Sequence, residues 1–469
     1  MMMMKIFFIS MVFLFSLFVP QVFSDEKNAE ILVDGYKIEK FVTGLSVPVA
    51  IDFIGSDIFV LQKNDGNVIL IQDDGLHKQS ILDLEVSNYG EQGLLGITTV
   101  EDKMYLFFTK AFHDGGLSNG NKIYEYTWDG KNISNPKLIK SLPGWIQGYN
   151  SGVMTHDLDN RIFAVSGSHY KYGALQNYNS QQSVDCRTDS LICASEHQVS
   201  FFDTVEQTLS CMNVSFYHYT TNPFSYQDKQ PDITQNYRES NLFNITANLG
   251  SCIEAFIFNN FSNGNWKDTS VVLQVKPSVD SYHGIGIRNS FGLAVDPITG
   301  NLWMTDNGAD KFDEINLVEK KFNSGWAKVM GPINDQQIEK IPPYEDYIYS
   351  DPEFSWELTV GITGIDFSDN SSFTKFDKSL FVADSNYGNI YALKLNQERN
   401  GFSFNSVHLQ DLVVNIEPEN KFGNFHESMD EIWFGKNFGL VTDIKFGPDG
   451  NLYVVSLMDG VIYRISPEN

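Results

Sequence analysis

The sequence is poor in positive charge and contains few cysteines. Its 469 residues include 33 lysines and arginines, only six of them arginine, against 59 aspartates and glutamates, so the formal net charge is −26. A surface this negative excludes nucleic acid and anionic membranes as electrostatic partners. After residue 24 the chain also lacks any stretch near the ~18 apolar residues that a membrane span needs.

Residues 1–24 have the composition of a targeting segment. Lys5 supplies a short positive region, residues 6–19 are almost wholly apolar, and small residues precede Asp25. We interpret this segment as a secretory signal peptide. It predicts a secreted or cell-surface protein whose residues 25–469 form one domain, and a retained N-terminal anchor is the alternative that would make a membrane a partner.

The four cysteines lie within one stretch of 67 residues, at Cys186, Cys193, Cys211 and Cys252. An even number of cysteines in an exported chain favours disulfides. Pairing Cys186 with Cys193 and Cys211 with Cys252 closes local loops and is preferred, but two other pairings stay open. No CxxC or CxxH spacing occurs, which argues against a zinc site.

A phrase of short apolar strands separated by glycine-containing turns recurs along the chain. Residues 44–71 and 439–465 both begin with Gly-Leu and continue as strand, turn, strand, glycine and a third strand. Six copies are recognisable, at 44–71, 91–128, 151–167, 291–318, 360–395 and 439–465. A long-period repeat of strand units predicts an all-β fold, a six-bladed β-propeller.

Residues from about 170 to 275 interrupt the repeat. This stretch is polar and holds all four cysteines. We predict a disulfide-stapled insertion on one face of the ring, where it would modify access to a central site. A β-sandwich is the alternative fold, but it does not explain six similar units.

Two groups of polar residues could carry chemistry. Arg288 and Asn289 precede the first strand of a repeat, which would direct the arginine into the central channel toward an anionic ligand. Residues 306–314 combine four carboxylates, an amide and a glycine, a density of hard oxygen ligands that suits Ca²⁺. The alternatives are an arginine that bridges blades and a solvated acidic turn.

Two further loops place polar groups just before a first strand. They are residues 145–152, which contain Tyr149 and Asn150, and residues 91–96, which begin at Glu91. In a ring of repeats these positions meet at the mouth of the channel.

These motifs, in this order, resemble the glucose/sorbosone dehydrogenase family. The phrases concerned are EQGLLG, GIRNSFGLAVDPITGNLW, DNGADKFDEINLV, FNSGW and GPDGNLYVVS. The resemblance covers most of residues 40–466 apart from the insertion, and it is greatest to uncharacterised archaeal-type members. Members are six-bladed propellers, many of which oxidise sugars with pyrroloquinoline quinone (PQQ) and Ca²⁺.

The resemblance implies roles for particular residues. Arg288 and Asn289 would contact the quinone, and Glu91 stands where members have a glutamine that contacts cofactor or substrate. Gly308 and Ala309 would offer carbonyl oxygens to Ca²⁺, with Asp313 and Glu314 supporting a structural Ca²⁺. Tyr149 and Asn150 match the segment that carries the catalytic histidine.

This sequence departs from the family at several of those positions. Tyr149 stands in place of the histidine base, Asn386 in place of a cofactor-binding lysine, and Leu440 and Thr442 in place of two arginines. A tyrosine with an ordinary pKa near 10 is ionised only ~0.1% at pH 7. Three histidines near the relevant blades are alternative bases, namely His156, His169 and His283.

Two functions follow from the resemblance and the departures. The first is an exported enzyme that oxidises a sugar hydroxyl, with Tyr149 and Arg288 in the catalytic group and PQQ and Ca²⁺ as cofactors. The alternative is a non-catalytic propeller that binds a carbohydrate or a protein through a degenerate cofactor site. A hydrolase using Ca²⁺-bound water fits the acidic loop but lacks motif support.

Overall fold

The computed structural model describes three stretches of the chain in full. These are residues 28–168, 282–415 and 429–468, apart from short gaps at 73, 143, 145–146, 334–337, 340, 342–345 and 369–370. Between 168 and 282 it describes the backbone of five strands. The four cysteines and His169 lie outside the described residues, so the predicted disulfides stay predictions.

The described chain is nearly all β-structure, and its sheets follow the predicted repeats. Blades 1 and 2 are four-stranded antiparallel meanders. The strands of blade 1 are Pro48–Ile54, Asp57–Gln62, Asn67–Gln72 and His77–Asp83. Those of blade 2 are Leu94–Val100, Lys103–Ala111, Ser118–Trp128 and Ile133–Leu142.

Blade 3 is described by two strands, and blade 4 has five. The strands of blade 3 are Ser151–His156 and Ile162–Ser166. Those of blade 4 are Gly292–Val295, Leu302–Asp306, Asp313–Leu317, Phe354–Trp356 and Val413–Val414. The last two strands of blade 4 pair in parallel and come from beyond the predicted repeat.

Blades 5 and 6 each receive a strand from the N-terminal part of the chain. The strands of blade 5 are Ile362–Phe367, Leu380–Asp384, Ile390–Leu393, Trp433–Lys436 and Glu30–Ile31. Those of blade 6 are Val441–Phe446, Leu452–Ser456, Val461–Pro467 and Tyr36–Val42. Because Tyr36–Val42 forms the outer edge of the last blade, the two ends of the described chain close the ring together.

The remaining elements lie outside the blades. Three short parallel strands join Gly284–Ile285, Phe322–Asn323 and Ile348–Tyr349, and 3-10 helices span Ser371–Phe376 and Val407–Leu409. The backbone strands of the insertion are Gln181–Val184, Phe243–Leu249, Ile253–Ser262, Asn265–Lys267 and Val271–Val275. They pair with one another, so the predicted loop contains a sheet of its own.

The first strands of the six blades form a closed ring around the axis. Each contacts the first strand of the next blade, and Val441–Phe446 of blade 6 contacts Pro48–Ile54 of blade 1. Glycines permit the close approach: a Cβ on Gly96 would lie 2.0 Å from the Gly152 carbonyl oxygen of blade 3. This ring confirms the six-bladed propeller and directs the loops before each first strand to one end of a central channel.

Six apolar clusters fill the spaces between neighbouring blades. Strand side chains alternate between the two faces of a sheet, so each blade packs against both of its neighbours. Phe59 of blade 1 meets Trp128 of blade 2, with ring centroids 5.2 Å apart, and Trp356 of blade 4 meets Tyr391 of blade 5 at 5.1 Å. The other interfaces are built in the same way. Among the described residues no helix has the length and apolarity to cross a membrane.

Candidate functional site at the mouth of the channel

The loops that enter blades 2, 3 and 4 meet at one end of the channel, beside a cavity of about 200 Å³. The first strands of the blades form most of its wall, which is largely apolar. Its polar lining includes Lys63, Glu91, Ser151, Thr363, Thr442, Asp443 and Lys445. The channel is therefore a pocket that holds a few polar groups between apolar strands.

Arg288 links the entry of blade 4 to the acidic loop. Its Nη1 donates to the carbonyl oxygens of Asn307 and Gly308, at 2.6 and 2.9 Å. Its guanidinium carbon lies 4.9 Å from the ring centroid of Tyr149, with Nη2 3.5 Å from the tyrosine hydroxyl. The Nε atom is buried and has no hydrogen-bond partner among the described residues. One donor of a fixed guanidinium is thus left for another acceptor.

Asn289 connects the same segment to Glu91. Its Nδ2 donates to both carboxylate oxygens of Glu91, at 3.2 and 3.3 Å. Glu91 Oε2 also accepts the backbone N–H of Asn150 at 3.1 Å, and Ser151 Oγ donates to Asn289 Oδ1 at 3.3 Å. Loops from blades 2, 3 and 4 therefore hold one another through the Glu91 carboxylate.

The loop before blade 3 keeps an unusual backbone. Tyr149 and Ser151 have φ values of 60° and 53°, in the left-handed region that residues with a Cβ rarely adopt. The fully buried Asn150 between them accepts a hydrogen bond from Asn121 Nδ2 at 3.1 Å. Such conformations persist where surrounding contacts over-determine them, often at functional sites.

The acidic loop is organised from within by buried carboxylates. Asp306 accepts the backbone N–H groups of Arg288 and Asn289, at 2.8 and 2.6 Å. Asp313 accepts those of Gly308 and Gly361, at 2.9 and 2.6 Å. These carboxylates thereby fix the entry to blade 4 and the turn at Gly308.

Burial raises the pKa values of these carboxyl groups, although their hydrogen bonds act in the opposite direction. The pKa is raised to about 7 for Asp306 and to about 6 for Asp313. For Glu314 burial and the nearby charge of Asp306 raise it to about 8. Glu314 accepts hydrogen bonds from Gly331 N, Asn316 and Ser324.

Most of the predicted site residues come together here. Glu91, Asn150, Arg288, Asn289, Tyr149 and Gly308 form one contact network, and Asp313 supports its loop through Gly308. Gly308 has no room for a side chain, since a Cβ would lie 2.1 Å from the Lys311 and Phe312 carbonyl oxygens. Half-buried Ala309 follows it.

Asn386 lies next to the segment that Asp313 binds. Its Nδ2 donates to the Thr359 carbonyl oxygen at 3.2 Å, beside the Gly361 amide that binds Asp313. Thr442 lines the cavity and donates to the Pro48 carbonyl oxygen at 3.4 Å.

Two of the three histidines predicted as alternative bases are described, and both lie elsewhere. His156 Nδ1 is 3.0 Å from Thr98 Oγ1, and the ring of His283 packs edge-on against Phe163. Neither belongs to the cavity wall.

Sequence reasoning missed Lys63, which reaches the site from blade 1. Its Nζ donates to the Gly90 carbonyl oxygen at 2.7 Å, directly beside Glu91. Burial lowers its pKa to about 8, and the charge of Glu91 opposes that shift. The signal available was its position just after a strand of the first repeat, the same end of the blade that carries the other site loops.

Solved structures that share this propeller fold include a sugar dehydrogenase and a carbohydrate-active enzyme. The PQQ-bound form of aldose sugar dehydrogenase from Streptomyces coelicolor aligns at a TM-score of 0.51 with 17% identity, covering 94% of this chain and 98% of that one. The calcium structure of a Trichoderma reesei enzyme of carbohydrate-active enzyme family AA12 aligns at 0.50 with 11% identity, covering 94% and 97%. At these identities the likeness establishes the fold.

Sequence comparison then finds similarity to one family over the C-terminal part of the chain. Residues 262–464 match the model of the glucose/sorbosone dehydrogenase family, which confirms the resemblance read from the motifs. Aldose sugar dehydrogenase YliI of Escherichia coli is 24% identical over 188 residues, which are 39% of this chain. The matched segment spans 43% of that relative's length.

Proposed function

We propose that this protein is a sugar dehydrogenase that oxidises a sugar hydroxyl by hydride transfer to a PQQ-type quinone. The family match and the relatives support a function like that of sugar dehydrogenases. The observation that supports the use of a quinone is Arg288, fixed at the channel mouth with a buried Nε that has no partner within the described residues.

The residues at the mouth fit a quinone that carries carboxylates. Arg288 is oriented by the carbonyl oxygens of Asn307 and Gly308, so its guanidinium is held in place for a carboxylate or carbonyl oxygen. Bound at this mouth, such a quinone would supply the two-electron acceptor that no amino-acid side chain provides.

Carbonyl oxygens of the acidic loop fit Ca²⁺ better than its carboxylates do. Asp313 and Glu314 already accept backbone N–H groups, whereas the Gly308 carbonyl oxygen keeps a second lone pair and that of Ala309 follows it. The described residues contain no group of three or more His, Cys, Asp or Glu side chains placed to hold a metal. We therefore assign Gly308 and Ala309 to the ion, and Asp313 and Glu314 to shaping the loop.

The chain's own residues would bind and orient the sugar between polar groups on apolar walls. Glu91 and Ser151 line the cavity and present oxygens to hydroxyl groups, Asn289 orients both, and the first strands exclude water from one side. Tyr149, over the Arg288 guanidinium, holds that cation in place.

One observation favours a second candidate, a propeller that binds a carbohydrate or protein without catalysis. Arg288 Nη1 and the Asp313 and Glu314 carboxylates are satisfied by the chain itself. A site that is this complete without a cofactor is also expected of a binding module.

The place of action is part of the proposal. The apolar segment at residues 6–19 and the strongly negative charge support export, with action at the cell surface or outside the cell.

Reconstitution tests the proposal. The protein is mixed with PQQ and Ca²⁺, quinone binding is measured by fluorescence, and reduction of an artificial electron acceptor is followed over a panel of sugars. We expect micromolar binding and turnover with at least one aldose. Glycan binding without any quinone binding would establish the second candidate instead.

A further inference from the structure

We infer that Glu91, rather than Tyr149, is the group that accepts the proton of the substrate hydroxyl. This inference rests on the proposed oxidation and adds to it the catalytic base that the family's histidine would otherwise supply. It follows from where the two side chains lie relative to the cavity.

Glu91 contributes a carboxylate to the cavity wall at the mouth of the channel. It lines the cavity with its neighbour Gly90, while Tyr149 contacts Arg288 outside that lining. Asn289 and the Asn150 amide fix the orientation of both Glu91 oxygens. A carboxylate oxygen accepts more than one hydrogen bond, so each can still receive a substrate proton.

Two cations and a backbone amide act on this carboxylate. Lys63 comes from blade 1 and Arg288 from the entry to blade 4, and the Tyr149 backbone at the entry to blade 3 donates a hydrogen bond. Asp443 and Lys445 of blade 6 lie in the wall of the same cavity. Glu91 is therefore set between two cations, with a further carboxylate and lysine along the channel.

The protonation behaviour of Glu91 suits a base near neutral pH. Burial raises its pKa above the ordinary range, while hydrogen bonds from Asn150 and Asn289 and the charge of Arg288 limit the rise. A base works best when its pKa approaches the operating pH.

The two described histidines that were alternative bases, His156 and His283, are placed for other contacts. His156 is engaged with Thr98, and His283 with Phe163 and the Val318 carbonyl oxygen. Among the groups that line the described cavity, Glu91 has the position of a proton acceptor beside the Arg288–Asn289 pair.

The O–H bond of the sugar hydroxyl breaks, its proton passes to a Glu91 oxygen, and its electron pair forms the new C=O bond. The C–H bond of the same carbon would break at the same time, and a bound quinone would supply the acceptor for that hydrogen and its electron pair. The open mouth then allows Glu91 to return the proton to water.

Three variants test the assignment in the reconstituted protein. Glu91→Gln should lower kcat by about 10²- to 10⁴-fold, the usual effect of losing a general base. Its quinone affinity, measured by fluorescence titration, should be equal or higher, because a negative charge has been removed. Tyr149→Phe should keep at least a third of kcat. Glu101→Gln, at the exposed turn beyond the other end of the strand Leu94–Val100, is the matched control and should behave as wild type.

A second measurement does not depend on turnover. With ¹³C-labelled glutamate, the Glu91 carboxyl resonance, assigned through its loss in Glu91→Asp, should titrate above the ordinary range in cofactor-free protein. Lys63→Met should move that midpoint, and the acidic limb of the kcat profile, to higher pH, because a facing positive charge is lost.

The outcomes separate the two proposals. Wild type that neither binds quinone nor oxidises any sugar overturns the proposed function and this inference with it. Wild-type turnover with Glu91→Gln as active as Glu101→Gln overturns the inference alone. An ordinary Glu91 midpoint that Lys63→Met leaves unchanged also overturns it.

Discussion

The side-chain amide of Asn289 donates to the carboxylate of Glu91, with Nδ2 3.2 Å from Oε1 and 3.3 Å from Oε2. The two residues are 198 positions apart in sequence, and the contact joins the entry of blade 2 to that of blade 4 across the channel mouth. Through it the protein holds a partly buried carboxylate beside Arg288, whose Nη1 is bound to two carbonyl oxygens.

Arg288 should be required in its guanidinium form. Arg288→Met removes bonds to two carbonyl oxygens and the remaining Nε–H, each a charge-assisted contact of about 1.5–3 kcal/mol. We expect quinone affinity to fall by at least about 10- to 100-fold in a fluorescence titration. Arg288→Lys, which keeps the charge but not the fork, should recover only a small part of that loss. Full recovery by lysine would contradict the role given to the fixed guanidinium.

Asp313 should be needed for the shape of the acidic loop. In Asp313→Asn an amide replaces one of two oxygens that accept backbone N–H groups of Gly308, Gly361 and Ile362. We expect a loss of about 1–3 kcal/mol in the free energy of unfolding, the usual cost of an unpaired buried group. The control is Asp310→Asn, an exposed position in the same loop. Equal stability of the two variants in urea titrations would refute this role.

Lys445 should stabilise the middle of the channel in a pH-dependent way. The charges of Asp366, Asp52 and Asp443 raise its pKa against the effect of burial, and burial raises the pKa of Asp443 to about 7. Lys445→Met should lower the free energy of unfolding by about 2 kcal/mol at pH 8. This is less than the roughly 3–5 kcal/mol lost when one partner of a buried pair in direct contact is removed.

The sign of the pH effect follows from the raised pKa of Asp443. The folded state binds its proton more tightly than the unfolded state does, so the stability it contributes is present at low pH and lost as pH rises through about 7. Thermal unfolding of Lys445→Met should therefore approach wild type at pH 5. Lys436→Met, which removes a surface pair with Glu30, should cost less than about 1 kcal/mol at either pH. A deficit independent of pH would exclude this charge arrangement.

The strand Tyr36–Val42 should control the stability of the whole ring. Val42 is 3% exposed and packs between blades 6 and 1, so Val42→Ala should cost about 1–3 kcal/mol of global stability. The exposed Lys40→Ala in the same strand is the control. Hydrogen exchange should report increased opening in blades 6 and 1 together, and an effect confined to residues 36–42 would show that this strand does not close the ring.

Much of this fold could be predicted from local sequence. The copies at 44–71 and 439–465 correspond to successive strands of blades 1 and 6, because apolar alternation and glycine turns specify a strand meander within one continuous segment. The outer strands supplied by Tyr36–Val42, Phe354–Trp356 and Val413–Val414 lay outside every copy. An edge strand is selected by the sheet it completes, and its partner is distant in sequence.

The candidate site, like the fold, was predicted only in part from the sequence. By itself the sequence determined the resemblance to a family, the six-bladed ring and the residue types at the entries to blades 2, 3 and 4. The tertiary structure alone decided that Lys63 lies beside Gly90 and Glu91, that Asp313 and Glu314 bind backbone amides, and that Glu91 faces the cavity while Tyr149 covers Arg288. The physical reason is that the strand pattern is encoded locally, whereas burial, charge and direction at the channel mouth arise only when separate blades meet.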